Sequence, residues 1–250
     1  MPDRRPDMRT EFIRYAFTLP NGSEEMFELH LDAQTLDLVE PIPEHLPEWT
    51  ALAFKQCPHC PLVPATHPRC PLAVRLVPVV NRFDGLISHD EIHVSVITEE
   101  RKISQKTTAQ RGIGSLMGLL IATSGCPHTA VFKPMARFHL PLASREETVY
   151  RATSMYLLAQ YFLKKRGMSV DFELGGLQDI YRNMEIINAS IVKRLQSATE
   201  TDSLVNGVII LDIYAKTLDF VINESLERVG HLFDAYVDRL GNRSPEPPAA

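Results

Sequence analysis

The fold is decided by residues 91–124, with the sequence EIHVSVITEERKISQKTTAQRGIGSLMGLLIATS, because the hydrophobic period changes within them. Residues 91–98 and 102–108 alternate along a β-hairpin that turns at Glu99-Glu100. Residues 110–124 are apolar on most sides, as is typical of a buried helix, and Gly125 follows as a C-cap. The sequence therefore predicts mainly strands before residue 109, with a short helix over 72–83 despite Pro78, and mainly helices after it.

Upstream of this stretch, the chain predicts further antiparallel strands. Asn21-Gly22 is a strong hairpin signal between the alternating residues 11–19 and a second strand that ends near Leu31. Shorter strands at 35–39 and 49–54 would bring the sheet to five or six strands. The second of these would deliver the chain into Cys57.

Downstream of residue 109, the apolar spacing predicts helices. Ser144-Arg145-Glu146-Glu147 fits a capping box that opens a helix running to about Arg166. Apolar residues then recur at spacings of three and four over 177–195. A last helix is predicted from Asp202, and residues 204–240 are so apolar that we expect it to be largely buried.

The composition limits the class of protein. The chain has 250 residues, is 44% hydrophobic and has 26 basic against 31 acidic residues, a net charge of −5. This charge gives no basis for nucleic-acid binding. The N-terminus lacks the apolar segment of a signal peptide, and the longest nearly apolar stretch, 113–122, is too short to span a bilayer. We therefore expect no membrane association and a cytoplasmic protein.

Each of the four cysteines, Cys57, Cys60, Cys70 and Cys126, is followed by proline. Proline after cysteine stiffens the chain and can shield a bound centre from water. A C-x2-C pair with two further single cysteines suits an iron–sulfur cluster better than a zinc ribbon. The pattern predicts one four-cysteine metal centre, with a [4Fe–4S] cluster favoured over Zn²⁺; buried structural thiols without metal stay open as the alternative.

Nearby histidines and the CPHC tetrapeptide allow other interpretations. His59, His67 and His128 could support the centre from outside the ligand set or lie in ordinary loops. Cys57-Pro58-His59-Cys60 also reproduces the active-site tetrapeptide of periplasmic disulfide oxidases. The prolines after it do not favour the helix that such a dithiol requires, so a thiol-disulfide oxidoreductase is a minor alternative.

These patterns together predict an α+β fold. An N-terminal antiparallel sheet is expected to pack against a helical C-terminal half, with the two joined at the four-cysteine metal centre. Residues 10–240 are predicted to form one domain, with 10–108 mainly strands and the cysteine loop and 109–240 mainly helices. The ends, 1–9 and 241–250, are predicted to be disordered.

Three cations and a glycine motif suggest a further site. Arg111, Lys133 and Arg137 flank the last cysteine in the chain and could bind an anion, although a solvated surface is the alternative. The motif Gly112-x-Gly114-x3-Gly118 could cradle a phosphate, but no Lys-Ser/Thr pair follows it and no βαβ pattern surrounds it. Close packing of a buried helix is the favoured interpretation of these glycines.

Several segments resemble a family of uncharacterised bacterial proteins over about residues 10–235. They are Cys57-Pro-His-Cys-Pro, Glu100-Arg-Lys-Ile-Ser-Gln-Lys-Thr-Thr, Thr123-Ser-Gly-Cys-Pro-His, Lys133-Pro-Met-Ala-Arg-Phe-His-Leu-Pro and Arg151-Ala-Thr-Ser-Met-Tyr-Leu-Leu-Ala-Gln-Tyr. The resemblance implies a bacterial cytosolic protein and supplies no catalytic residues.

The predicted function is metal-dependent sensing or scaffolding. The alternative is an enzyme that uses the cluster, or one that uses the cations to bind a small anion. The expected partner is a small anionic ligand or another protein, and the sequence leaves open whether the chain is an enzyme.

Overall fold

Four antiparallel strands form one sheet in the N-terminal half of the chain. The computed structural model describes residues 10–83, 85–199 and 202–241. The strands are β1 (Thr10–Thr18), β2 (Glu24–Asp32), β3 (Glu91–Thr98) and β4 (Lys102–Thr108), and their order is β2-β1-β3-β4. Gly22 has a φ of +82°, which glycine adopts readily, and it turns the predicted hairpin between β1 and β2.

One face of the sheet supplies a large part of the core. Buried side chains alternate with partly or fully exposed ones along β1, β2 and β3, as expected of a sheet with one face in the core. Strand β4 is mostly exposed and polar, which suits the edge of a sheet. The buried residues are Ile13, Tyr15, Phe17, Phe27, Leu29, Leu31, Ile92, Val94 and Val96.

Helices follow β4, and one precedes β3. They are α1 (Pro71–Phe83), α2 (Ala109–Ala122), α3 (Lys133–Arg137), α4 (Arg145–Lys165), α5 (Gly175–Leu195), α6 (Ser203–Gly230) and α7 (Asp234–Gly241). The capping box at Ser144 and Glu147 opens α4 as predicted. Together with the sheet, these helices confirm the α+β prediction.

Helix α2 is the centre of the fold, and its glycines let other elements approach closely. A Cβ on Gly112 would lie 2.8 Å from Val94 Cγ2, so the sheet packs directly on the helix backbone. A Cβ on Gly114 would lie 3.0 Å from the carbonyl oxygen of Gly207, where α6 crosses α2. The glycines serve close packing, and the phosphate-cradle interpretation has no support in this geometry.

The prediction of five or six strands is wrong. Residues 35–39 contribute an isolated bridge between Leu31 and Leu38, and residues 49–54 form a 3-10 turn over Glu48–Thr50 and a bridge from Ala51 to Arg69. Arg194 explains why residues 49–54 do not form a strand: its guanidinium donates hydrogen bonds to the carbonyls of Trp49, Ala51 and Leu52. These carbonyls are therefore not available to a strand ladder.

The C-terminal helix is less buried than predicted. Helix α6 ends at Gly230, a 3-10 turn spans His231–Phe233, and α7 exposes its apolar side chains. Tyr236 is 69% exposed, so the expectation of burial through residue 240 is wrong at this end.

Residues 1–9 and 242–250, predicted to be disordered, lie outside the described residues, and the single-domain organisation stays a prediction. No helix of the described chain is both long and apolar enough to cross a membrane.

Candidate functional site

The four cysteines are held by three different pieces of backbone. Cys57 and Cys60 share a turn in which the Cys60 amide donates to the Cys57 carbonyl at 3.0 Å. The Cys70 amide donates to the Thr50 carbonyl, and Cys70 directly precedes α1. Cys126 follows the end of α2. All four are free thiols and half-buried.

The predicted four-cysteine metal centre is wrong. Among the described residues, no three His, Cys, Asp or Glu side chains are placed to hold a metal ion. The [4Fe–4S] and Zn²⁺ predictions, the metal-dependent sensing or scaffolding function and the cluster-dependent enzyme therefore lose their basis. The physical reason is that local backbone structure determines the position of each cysteine. Pro71 after Cys70, for example, opens α1, which is an ordinary use of proline at a helix start.

The thiols behave as small apolar side chains. Cys57, Cys70 and Cys126 pack against the hydrophobic core. Burial raises the pKa of Cys57, and electrostatic repulsion from Cys70 and Cys60 raises it further. These thiols interact electrostatically, but they do not form a set of metal ligands. A raised pKa is the opposite of what a reactive dithiol needs, and no helix begins at Cys57. This argues against the disulfide-oxidoreductase alternative.

Two of the three predicted histidines stack on each other. The rings of His59 and His128 are 4.2 Å apart, and His128 Nε2 lies 2.9 Å from the His59 carbonyl oxygen. Burial lowers the pKa of His59, and the charge of His128 lowers it further. Neither buried ring nitrogen of His59 reaches a partner with hydrogen-bond geometry, although the Asn183 backbone is close. His67 is exposed and contacts Thr66.

The three predicted anion-binding cations do not line one site. Lys133 Nζ lies 2.6 Å from Asp37 Oδ1, and Arg137 lies 3.1 Å from Glu11 Oε1, so both already have carboxylate partners. Arg137 lines a cavity of about 220 Å³ with mixed polar and apolar walls at the start of β1, here called the Arg137 cavity, whereas Arg111 lines a different, mostly apolar cavity. Whether any of the three binds an anion stays a prediction.

The apolar cavity is the feature best suited to bind a ligand. Its volume is about 190 Å³, and it lies between α2, the turn from α3 into α4, α5 and α6. Most of its surface is apolar, and seven of its lining residues carry polar or charged side chains. The apolar walls include Leu119, Ile121, Phe132, Met135, Leu142, Met184 and Leu211, and the polar groups are Arg111, Ser115, His139, Thr148, Arg151, Tyr181 and Asn188.

A hydrogen-bonded chain of side chains forms part of this wall. The Tyr15 hydroxyl lies 2.9 Å from Ser115 Oγ and 2.5 Å from His139 Nε2, and the Leu142 amide donates to Ser115 Oγ at 3.0 Å. Burial lowers the pKa of His139 to about 3, so the ring is neutral at physiological pH. Burial raises the pKa of Tyr15. Both groups are held in their neutral forms, which favours a structural or binding role over proton transfer at neutral pH.

Arg151 places a half-buried cation on the cavity wall. Its Nη2 donates to the carbonyls of Met135 and Phe138 at 2.9 and 2.8 Å, which fixes the turn between α3 and α4. Burial lowers the pKa of Arg151, and the nearby Tyr181 and Glu147 oppose that effect. The charge is therefore only partly compensated.

Asn188 is the most unusual residue of the cavity. It is 1% exposed, and neither the oxygen nor the nitrogen of its side-chain amide has a hydrogen-bond partner. A buried amide without partners costs about 1–3 kcal/mol, and buried side-chain polar groups in native proteins are usually paired. Asn188 lines the cavity, so an unpaired donor and an unpaired acceptor stand beside it.

The comparison with protein families agrees with the extent of this fold. Residues 13–234 match the model of a family described as a domain of unknown function, DUF6901. The chain belongs to this family. Comparisons with curated proteins and with solved structures gave no match. The DUF6901 match includes every residue that lines the apolar cavity, whereas the Cys-Pro pairs as a family feature, the bacterial origin and the cytoplasmic location stay predictions.

Sequence reasoning missed the cavity, although one signal for it was present. Asn188 stands on the apolar face of α5 between Met184 and Ile191, where an unsatisfied amide is costly. A polar residue at a core position of an amphipathic helix is a reason to look for a ligand. The other cavity residues come from helices α2 to α6 and the turns between them, and no spacing in the sequence connects them.

Proposed function

We propose that this DUF6901 chain binds a small, largely apolar carboxylate in the cavity between α2, α4, α5 and α6. The observation that carries the proposal is the buried Asn188 amide, which has an unpaired donor and an unpaired acceptor. Ligand pockets are commonly apolar with a few polar groups that fix orientation, and this cavity has that composition.

The size of the cavity limits the ligand. An apolar cavity of roughly 150 Å³ is known to take up benzene. A volume of about 190 Å³ suits a single substituted ring or a short branched chain. Larger cofactors such as nucleotides do not fit within it.

The polar groups favour a carboxylate as the polar end of the ligand. Two arginines, Arg111 and Arg151, line the cavity, and its lining includes no Asp or Glu among the described residues. A carboxylate can accept from the Asn188 amide nitrogen and gains electrostatically from the partly compensated charge of Arg151. This keeps the small anionic ligand predicted from the sequence, with Arg111 as the one predicted cation that lines the apolar cavity.

Binding is favoured over catalysis. Catalytic acids and bases have pKa values near the working pH, whereas His139 and Tyr15 are shifted away from neutrality. Ser115 accepts a hydrogen bond from the Leu142 amide. In the hydrogen-bonded group of Tyr15, Ser115 and His139, the histidine contacts Tyr15. Ser115 therefore has no base that would activate it as a nucleophile.

The test is a thermal-shift and calorimetric titration with four probes of similar size: benzoate, benzamide, benzyl alcohol and benzylamine. At 100 times its Kd, a ligand of the native state raises the free energy of unfolding by about 2.7 kcal/mol. We expect the largest shift for benzoate, a smaller one for benzamide and none for benzylamine, whose cation would face the arginines. Equal shifts for all four would contradict carboxylate recognition, and no shift for any would contradict the ligand site.

A matched pair of variants locates the binding. A Cβ on Gly118 would lie 3.7 Å from Leu211 Cδ2, an ordinary contact, so a side chain can be added there without disturbing the helix. Gly118→Leu should fill the cavity and abolish the benzoate shift, while Gly118→Ala should retain it. Binding that survives Gly118→Leu would place benzoate outside this cavity.

A further inference from the structure

Helix α4 has two apolar faces, and the core covers one of them. Its inner face buries Val149, Ala152 and Tyr156 against the other helices. At about 100° per residue, five large apolar side chains fall within roughly 140° of arc on the other side. These exposed residues, here called the outer stripe, are Tyr150, Leu157, Leu158, Tyr161 and Phe162.

The outer stripe is part of an apolar surface that is larger than a monomer usually exposes. Its residues are 38–56% exposed, which at about 200 Å² for a large side chain corresponds to roughly 500 Å². The ring of Phe233 lies 6.4 Å from that of Tyr150 and extends the apolar surface towards Leu232 and Tyr236. With these three, which are 42–69% exposed, the surface reaches roughly 800 Å², the area that each partner of a standard interface buries.

Charges at the two ends of the stripe indicate what covers it. The first turn of α4 carries Glu146 and Glu147, and the last turn carries Lys164 and Lys165. Residues 18 apart are separated by about five full turns, so Glu146 and Lys164 lie at the same angular position, as do Glu147 and Lys165. A second α4 running antiparallel would place its basic end on the acidic end of the first, and the reverse at the other end.

We infer that the outer stripe of α4 is a homodimer interface in which α4 packs antiparallel against α4 of a second copy. A two-fold axis near the middle of the helix makes the same surface serve both partners, as closed dimers require. This one arrangement covers the apolar stripe and pairs the acidic end of each α4 with the basic end of the other. The α4 residues that line the apolar cavity, Thr148 and Arg151, are not among the residues of the outer stripe.

The state of association tests this directly, by sedimentation velocity of the full chain from 1 to 100 μM. We expect the wild type to be dimeric and Leu158→Glu to raise the dimer Kd by about 100-fold or more, because both copies lose an apolar contact and bury a charge. Val63→Glu, at another exposed apolar position, is the matched control and should leave the dimer intact. Far-UV circular dichroism checks that both variants are folded.

A charge exchange tests the antiparallel geometry. Glu146→Lys and Lys164→Glu should each raise the dimer Kd about 3- to 10-fold, and the double variant should restore it. These two residues are about 27 Å apart along one helix, so rescue requires contact between two copies. A monomeric wild type over this range, a dimer insensitive to Leu158→Glu, or additive charge effects without rescue would overturn the inference. A monomer that binds phosphatidylcholine vesicles through Leu158 would also overturn the inference.

Discussion

Asn188→Leu is expected to stabilise the protein, although a buried polar residue is usually costly to replace. Removing a buried amide without partners recovers about 1–3 kcal/mol, and leucine is the better helix former by a few tenths of a kcal/mol. The adjoining cavity of about 190 Å³ provides room for the longer side chain. We expect a net gain of about 2 kcal/mol, or roughly 4–8 °C in Tm for a chain of this length.

Urea unfolding of the wild type and two variants measures this effect. Asn183→Leu, on the same helix but half-exposed, is the matched control for helix propensity and should change the free energy of unfolding by less than about 0.5 kcal/mol. Asn188→Leu should also lose the preference for benzoate over benzyl alcohol. A loss of stability in Asn188→Leu would mean that the amide already has a partner, and the argument for a ligand would fail.

The remaining predictions concern packing, a buried arginine and pH. Gly118→Ala should stabilise by about 1 kcal/mol, because its Cβ makes only an ordinary contact with Leu211 at 3.7 Å, whereas Gly114→Ala should destabilise by about 1–3 kcal/mol, because its Cβ would press on the Gly207 carbonyl; urea unfolding compares the two. Arg194→Met should destabilise by about 3 kcal/mol, since it removes three charge-assisted hydrogen bonds to buried backbone, and an unchanged urea midpoint would contradict this. The pKa of His139 falls from 6.5 unfolded to about 3 folded, so the stability that it contributes is complete above pH 6.5 and is lost as the pH falls towards 3. Wild type should therefore lose about 2 kcal/mol more than His139→Gln between pH 7 and pH 5, and parallel pH profiles would show that the ring is not buried.

Much of the fold could be predicted because its signals are local. The change of period at residue 109, the hairpin at Asn21-Gly22 and the capping box at Ser144 each act within a few residues, and each appears where the sequence places it. The extra strand at 49–54 failed because a residue about 140 positions away, Arg194, takes up its carbonyls. Propensity alone cannot include such a contact.

The site could not be predicted in the same way. Four Cys-Pro pairs suggested one shared centre, but proline after cysteine is also compatible with unrelated turns and a helix start, as Pro71 shows. The cavity is built by residues from α2, α3, α4, α5, α6 and the turn before α4. Only Asn188, a polar residue on an apolar helix face, carried a signal that could be detected in the sequence.

The most direct test of the proposed ligand site is anomalous diffraction from crystals grown with 4-bromobenzoate. The account predicts one bromine peak inside the cavity between α2 and α6, with the carboxylate within hydrogen-bond distance of the Asn188 amide. An empty cavity at saturating ligand, or a bromine held only in the Arg137 cavity, would contradict it.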